Sequence, residues 1–320
     1  MPVKNNEINI VRIYDAPVKA VWDAWTDPKQ TAMWWGPRGF TITTHSKDLK
    51  AGGHWDYTMH GPDGTDYPNT TKYFEVQTYK KLVYDHGGYK DRPPLFRVTV
   101  LFSEEKGNKT KMDMTMSFAT PEVAAESRKF IKAAGGNATW DRLAEYVEKE
   151  KTNKEIFVIN RSFNTSLETM FAMWTDPKHF EKWLPPTGMQ MKFLEADIRP
   201  GGKTKYMMTG NGITMYGRAE YLKIEKPSLI VYTQQFCDEH GNVSRHPFAP
   251  LWPETMLTTV QLAAESANET RVTITWEAYG KYTPAELAEF VKEKPGMTIG
   301  WTGSMDKLEE YLEKDAGRTV

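Results

Sequence analysis

Trp25-Thr26-Asp27-Pro28-Lys29 recurs as Trp174-Thr175-Asp176-Pro177-Lys178. This pair of segments decides the fold, because the similarity around them extends without a gap. At the same offset of 149, Trp34 falls on Trp183, Pro37 on Pro186 and Gly39 on Gly188. Asp48-Leu49-Lys50-Ala51-Gly52-Gly53 falls on Asp197-Ile198-Arg199-Pro200-Gly201-Gly202. Over residues 25–53 the two copies share 11 identities in 29 positions, where unrelated sequence of this composition would share roughly two. A duplicated unit of about 150 residues is also what a chain of 320 residues predicts.

Changes of offset locate the loops. Leu82-Val83-Tyr84 matches Ile230-Val231-Tyr232 at offset 148, and Met112-Asp113-Met114 matches Val272-Thr273-Ile274 at offset 160. The second copy therefore carries 12 more residues between those points. Their expected place is an insert over 245–256, around the Pro-rich stretch Arg245–Pro253. Asp141, Leu143 and Tyr146 match Asp306, Leu308 and Tyr311 at offset 165. The charged run Glu148–Glu155 reads as the linker, giving domains 1–151 and 152–320.

Local patterns repeat with the copies. Ile8–Tyr14 and Ile156–Phe163 read as opening strands. A helix follows each, with Asp15 as N-cap in the first copy and Thr165 with Glu168 as a capping box in the second. Pro28 and Pro177 end these helices and start a second short one. Alternation then takes over: Trp55, Tyr57 and Met59 share one face, as do Phe96, Val98, Val100 and Phe102, and Met112, Met114, Met116 and Phe118. Val272, Ile274 and Trp276 keep this parity in the second copy. Gly52-Gly53 and Gly201-Gly202 are read as turn glycines of positive φ. Trp140, Leu143 and Val147, then Met305, Leu308 and Leu312, form apolar helical stripes. The order predicts an α+β class: per copy, a curved antiparallel sheet of about six or seven strands around one long C-terminal helix.

The Trp-Thr-Asp-Pro helix end, the Asp-x-x-x-Gly-Gly turn and the closing Gly300-Trp301 helix resemble the helix-grip superfamily. That superfamily (SRPBCC) includes the START lipid-binding domains, the birch-pollen-allergen fold and polyketide cyclases. The branch most similar is that of homologues of the C-terminal domain of the heat-shock protein 90 ATPase activator. The resemblance implies a cavity between sheet and closing helix, and a link to a chaperone as a partner. Copy one departs from it: Gly135-Gly136-Asn137 stands where copy two has Gly300-Trp301. If that tryptophan shapes the pocket, the first pocket is degenerate.

Composition excludes several functions. The halves 1–152 and 153–320 carry net charges of +2 and −3, so neither offers the cationic surface that nucleic acid requires. One cysteine, Cys237, permits no intrachain disulfide and no cysteine-based zinc site. No window approaches 18 apolar residues and the N-terminus has no apolar signal core, so a cytosolic chain without a membrane span is expected. His54 and His60 lie six residues apart on one strand, roughly 20 Å at about 3.3 Å per residue, too far to share a metal. Ser304-Met305-Asp306-Lys307 fits a Ser-x-x-Lys nucleophile pattern but lacks the partner motifs. No catalytic residue, metal or cofactor is therefore assigned.

The candidate site is the aromatic and methionine face. Its residues are Trp34, Trp55, Tyr57, Met59, Tyr84, Met114 and Met116 in copy one. In copy two they are Trp183, Tyr206, Met208, Tyr232, Ile274, Trp276 and Trp301. Two readings fit this face. One is a cavity for a small apolar or aromatic ligand, with tyrosine hydroxyls as polar handles. The other is ordinary core, since burying about 200 Å² of a tryptophan contributes roughly 5 kcal/mol. The sequence ranks a ligand-binding module first, a heat-shock protein 90 regulator second and a cyclase- or hydrolase-like enzyme third.

Overall fold

The alternation of apolar and polar residues does form sheets. In the computed structural model, which describes residues 4–133 and 138–316, each copy builds seven antiparallel strands. In the first unit these are β1 (Glu7–Tyr14), β2 (Thr41–Lys47), β3 (His54–His60), β4 (Asp66–Gln77), β5 (Lys81–Gly88), β6 (Phe96–Glu105) and β7 (Lys109–Ser117). Their order is β1-β7-β6-β5-β4-β3-β2. The chain thus returns its last strand to the first, pairing Ile10 with Met114. Helices α1 (Val18–Thr26) and α2 (Pro28–Trp34) follow β1, and α3 (Pro121–Ala133) and α4 (Ala138–Thr152) follow β7.

The second unit repeats this plan. Its strands are β8 (Ile156–Phe163), β9 (Gln190–Ala196), β10 (Lys203–Gly210), β11 (Ile213–Glu225), β12 (Leu229–Cys237), β13 (Met256–Ser266) and β14 (Glu269–Ala278). They are ordered β8-β14-β13-β12-β11-β10-β9. Its helices are α5 (Leu167–Thr175), α6 (Pro177–Trp183), α7 (Pro284–Lys292) and α8 (Lys294–Ala316). The compact units are Met1–Asn153 and Lys154–Val320. The extra length lies between β12 and β13, at residues 238–255.

Several local expectations are corrected. Asp15 does not cap α1. Pro17 is the N-cap, without a side-chain bond, and Asp15 instead pairs with Lys151 at 2.8 Å. In α5 the cap is Ser166, which accepts from Thr169 N, rather than the Thr165–Glu168 box; Thr165 lends its carbonyl to Thr270 Oγ1. The run Glu148–Glu155 is not a linker throughout, because α4 continues to Thr152. Asn153 then ends it in the left-handed region (φ 58°), its N–H bonded to Lys149 O at 2.7 Å, as helix C-termini commonly do. Each closing helix is also preceded by a further one, α3 or α7, that the periodicity did not separate. Gly135-Gly136-Asn137 lie outside the described residues.

The repeated motifs have concrete work. Asp27 caps α2 through Lys29 N and Gln30 N, and Asp176 caps α6 through Lys178 N. Trp34 and Trp183 are wholly buried, and each donates its indole N–H to the preceding helix: to Ala24 O at 2.9 Å and Met173 O at 3.0 Å. Each pair of short helices is locked by one side chain. Gly52 and Gly201 have φ of 82° and 76°. A Cβ on Gly53 or Gly202 would lie 2.1 Å from Asp48 O or Asp197 O, which explains the second glycine of each pair.

Trp183→Ala should destabilise the second unit by about 3–5 kcal/mol, the usual range for truncating a buried tryptophan. Urea denaturation followed by circular dichroism checks this. A loss below 1 kcal/mol would show that the indole is not the lock described.

Candidate functional site

The apolar sheet face and the closing helix meet around stacked tryptophans. In the first unit Trp140, on α4, lies parallel to Trp25 on α1, at 5.1 Å and 11°. In the second, Trp301 on α8 lies on Trp174 of α5 at 6.2 Å and 29°. By sequence offset Trp140 corresponds to Met305. It nonetheless supplies the ring that Trp301 supplies, from one helical turn further along its helix.

Beside each stack is a cavity. The first, of about 150 Å³, is lined by Trp35, Met59, Tyr84, His86, Phe96, Val98, Met114, Met116 and Trp140, with Gly36, Pro37 and Thr139. The second, of about 270 Å³, is walled by the sheet residues Tyr206, Met208, Met215, Tyr216, Tyr232, Gln234, Phe236 and Trp276. Leu184, Pro186, His246, Met297, Gly300, Trp301 and Ser304 complete it. Met59, Tyr84, Met114, Met116, Tyr206, Met208, Tyr232, Trp276 and Trp301 therefore stand on cavity walls. Trp34, Trp183, Ile274, Trp55 and Tyr57 do not. Trp34 and Trp183 are the helix locks, Ile274 is fully buried, and Trp55 stacks on Tyr57 at 4.0 Å.

One exchange at the cavity wall, Trp35 for Leu184, and one behind it, Trp55 for Thr204, accompany the larger second space. Trp35 corresponds to Leu184, and Trp55 to Thr204. In the first unit Trp35 sits among Trp25, Trp34, Trp55, Tyr57, His86 and Trp140, with ring centroids 5.1–6.5 Å away. That cluster fills the region beneath α4. In the second unit neither ring is present, and Tyr206, the counterpart of Tyr57, has no tryptophan to stack on. It lies instead across Gly217, its cross-strand partner, where an added Cβ would stand 2.2 Å from its ring. The partner of Tyr57 is Asn69, which has a side chain. Loss of two tryptophans and one Cβ thus accompanies a cavity of about 270 Å³ in place of one of about 150 Å³, even though Trp276 stands where the first unit has Met116.

Polar groups in these walls are shaped by burial. Burial pushes the Tyr206 hydroxyl up to about 12 and raises Tyr232 and Tyr84 further, so all three are neutral hydroxyls. His86, near the Tyr57 hydroxyl at 3.5 Å, is lowered to about 4, by burial first and by Arg92 second. His246 is lowered by burial. Among the described residues no three metal-ligating side chains come together, and no helix is long and apolar enough to cross a membrane.

The closing helices also hold the loop beside each cavity. Arg142 Nη1 donates to the carbonyls of Gly36, Pro37 and Phe40 at 2.9–3.1 Å, and Arg38 pairs in bidentate fashion with Glu145. In the second unit Ser304 bonds Leu184 O at 2.7 Å and Lys307 bonds Pro185 O at 2.6 Å. The insert is strapped too: Arg245 pairs with Glu286 of α7, and Trp252 packs on Phe290. His246 is thereby set into the cavity wall. Gln234, Phe236, Met215 and His86 were absent from the sequence-derived set. The signal that could have found two of them was the offset of 148, which places His86 and Gln234 two residues after Tyr84 and Tyr232.

The family described as activator of Hsp90 ATPase homolog 1-like protein matches residues 15–148 and again 164–313. The chain belongs to this family, twice over. No curated protein matches the chain. Among solved structures it is similar to a protein of Nitrosomonas europaea, 22% identical, covering 47% of this chain and 99% of that one, with a TM-score of 0.43. A protein of Arthrobacter aurescens is 26% identical, covering 47% and 90%, with a TM-score of 0.42. The di-domain ARO/CYC BexL is 11% identical over 95% of this chain and 97% of that one, with a TM-score of 0.40.

The depressed His86 pKa has a signed consequence. The unfolded chain takes up a proton near 6.5, while the folded chain resists it to about 4. Stability from neutral His86 is complete above 6.5 and falls as pH drops towards 4. His86→Gln, which installs the residue of the second unit, should flatten that decline. Melting temperatures of the two proteins between pH 7 and 4 test this; parallel curves would contradict it.

Proposed function

We propose that the second unit is a cytosolic receptor for a small hydrophobic or aromatic molecule, held between its sheet and α8. The observation that carries this reading is the cavity of about 270 Å³ opened where Leu184 and Thr204 replace the first unit's Trp35 and Trp55. A protein that needed only a stable core would gain from filling it, since lost packing destabilises in proportion to the void. An apolar cavity of about 150 Å³ holds benzene, so 270 Å³ has room for a two-ring frame. Tyr206, Met208, Tyr232, Trp276 and Trp301 would contact the ligand. The first unit's Met59, Tyr84, Met114 and Met116 line a space for one ring at most, and its role is structural support. Membership in a family with this cavity-bearing fold supports the reading. The family's description names heat-shock protein 90; the cavity supports the receptor reading over that partner.

Ligand at 100 times its Kd should stabilise the second unit by about 2.7 kcal/mol. Melting the full chain against a panel of two-ring apolar compounds measures this. Leu184→Trp, which restores the first unit's ring, should abolish the shift. A panel without effect, or a shift that survives Leu184→Trp, would contradict the proposal.

A further inference from the structure

The polar groups of the second cavity wall are the hydroxyls of Tyr206, Tyr216, Tyr232 and Ser304, the Gln234 amide, the His246 ring and the indoles of Trp276 and Trp301. No wall residue is acidic or cationic. Gln234 has its carbonyl end engaged, since Thr258 Oγ1 donates to Gln234 Oε1 at 3.1 Å, which orients its amide NH2 as the group left to donate. His246 Nδ1 accepts from Phe248 N–H at 3.0 Å. In the neutral ring the proton therefore sits on Nε2, as a donor, and burial favours that neutral form. Trp276 and Trp301 meet edge to face at 5.4 Å and 72°, and neither buried indole N–H has a hydrogen-bond partner. Trp301 is 6% exposed.

A buried donor without an acceptor costs about 1–3 kcal/mol. In the first unit the corresponding groups differ. Trp276 is replaced by Met116 at that position, Gln234 by His86, and the insert that brings in His246 is absent. The Gln234 amide and the His246 ring thus stand only in the wall of the larger cavity, while the smaller one carries His86. The Trp183 indole is satisfied by Met173 O, whereas the buried Trp174 indole, which like Trp183 does not line the cavity, has no partner either.

We propose that the second cavity selects an uncharged ligand that presents hydrogen-bond acceptors, of the ketone or quinone class, on a two-ring apolar frame. The inference rests on the receptor reading and specifies its ligand chemistry. Gln234 and His246 choose the acceptor, while Tyr206, Met208 and the two tryptophans hold the frame. An ammonium ligand would face N–H donors with no carboxylate in the wall. A carboxylate would surrender its hydration with no cation to pair with it.

Four compounds of one size separate the possibilities: 2-acetylnaphthalene, 2-isopropenylnaphthalene, 1-(2-naphthyl)ethylamine and 2-naphthoate. Calorimetric titration into the full chain should give the ketone at least tenfold tighter affinity than the hydrocarbon, with the amine and carboxylate weaker than both. Gln234→Leu should bring the ratio of ketone to hydrocarbon close to one; His246→Phe is a second variant with the same expected direction. If ketone and hydrocarbon bind equally, or if amine or carboxylate binds best, the acceptor proposal is overturned while the receptor stands. If none of the four binds, the receptor reading falls and this proposal with it.

Discussion

Each unit depends on one contact: a tryptophan of the closing helix lying flat on a tryptophan of the first. Trp140 on Trp25 and Trp301 on Trp174 join the closing helix to the first helix. Inward rings of the sheet meet the same stacks, Phe102 on Trp25 and Trp276 on Trp301. What occupies the remaining space is then decided by a few side chains around it. Large rings at Trp35 and Trp55 narrow it in one unit, where Leu184 and Thr204 stand in the other. The duplication therefore supplies an internal control, with the same architecture built once around a small cavity and once around a larger one.

The unit with the larger cavity is also reinforced by its insert. Its insert is tied down by Arg245 on Glu286, and Glu286 in turn completes the capping box of α7 with Thr283. His246 and Trp252 reach the aromatic cluster from this strap. A loop of that length would otherwise be among the more mobile parts of a domain. Anchoring it turns a loop residue into part of a wall. In the first unit Arg142 and the Arg38–Glu145 pair hold the loop before β2, as Ser304 and Lys307 hold its counterpart in the second.

Much of this fold was legible in the sequence, for physical reasons. Period-two alternation on β6, β7 and β14 is imposed by one buried face, so those strands could be read directly. The Asp-Pro motif is a helix cap followed by a residue that needs no N–H, and it marked α2 and α6 correctly. Helix ends were less legible where charge misled: Glu148–Thr152 are solvated side chains on a helix, and composition alone resembles a linker. Cavity and core were the hardest to separate. Parity gives the inward face, but Trp55 and Tyr206 are both inward, and whether a ring fills or borders space depends on its neighbours. The relevant signal was present in the comparison of the copies, at Trp35 against Leu184 and Trp55 against Thr204. Likewise, the stack made by Trp140 was hidden because it is offset by one helical turn from its counterpart.

The central claim is that the second unit holds an accessible apolar chamber and the first does not hold one of that size. The most direct measurement is a crystal structure of the full chain grown with 1-bromonaphthalene, whose bromine is located by anomalous scattering. The account predicts a bromine peak beside Trp276 and Trp301 and none beside Trp35 and Trp140. A peak confined to the first unit, or no peak in either, would contradict it.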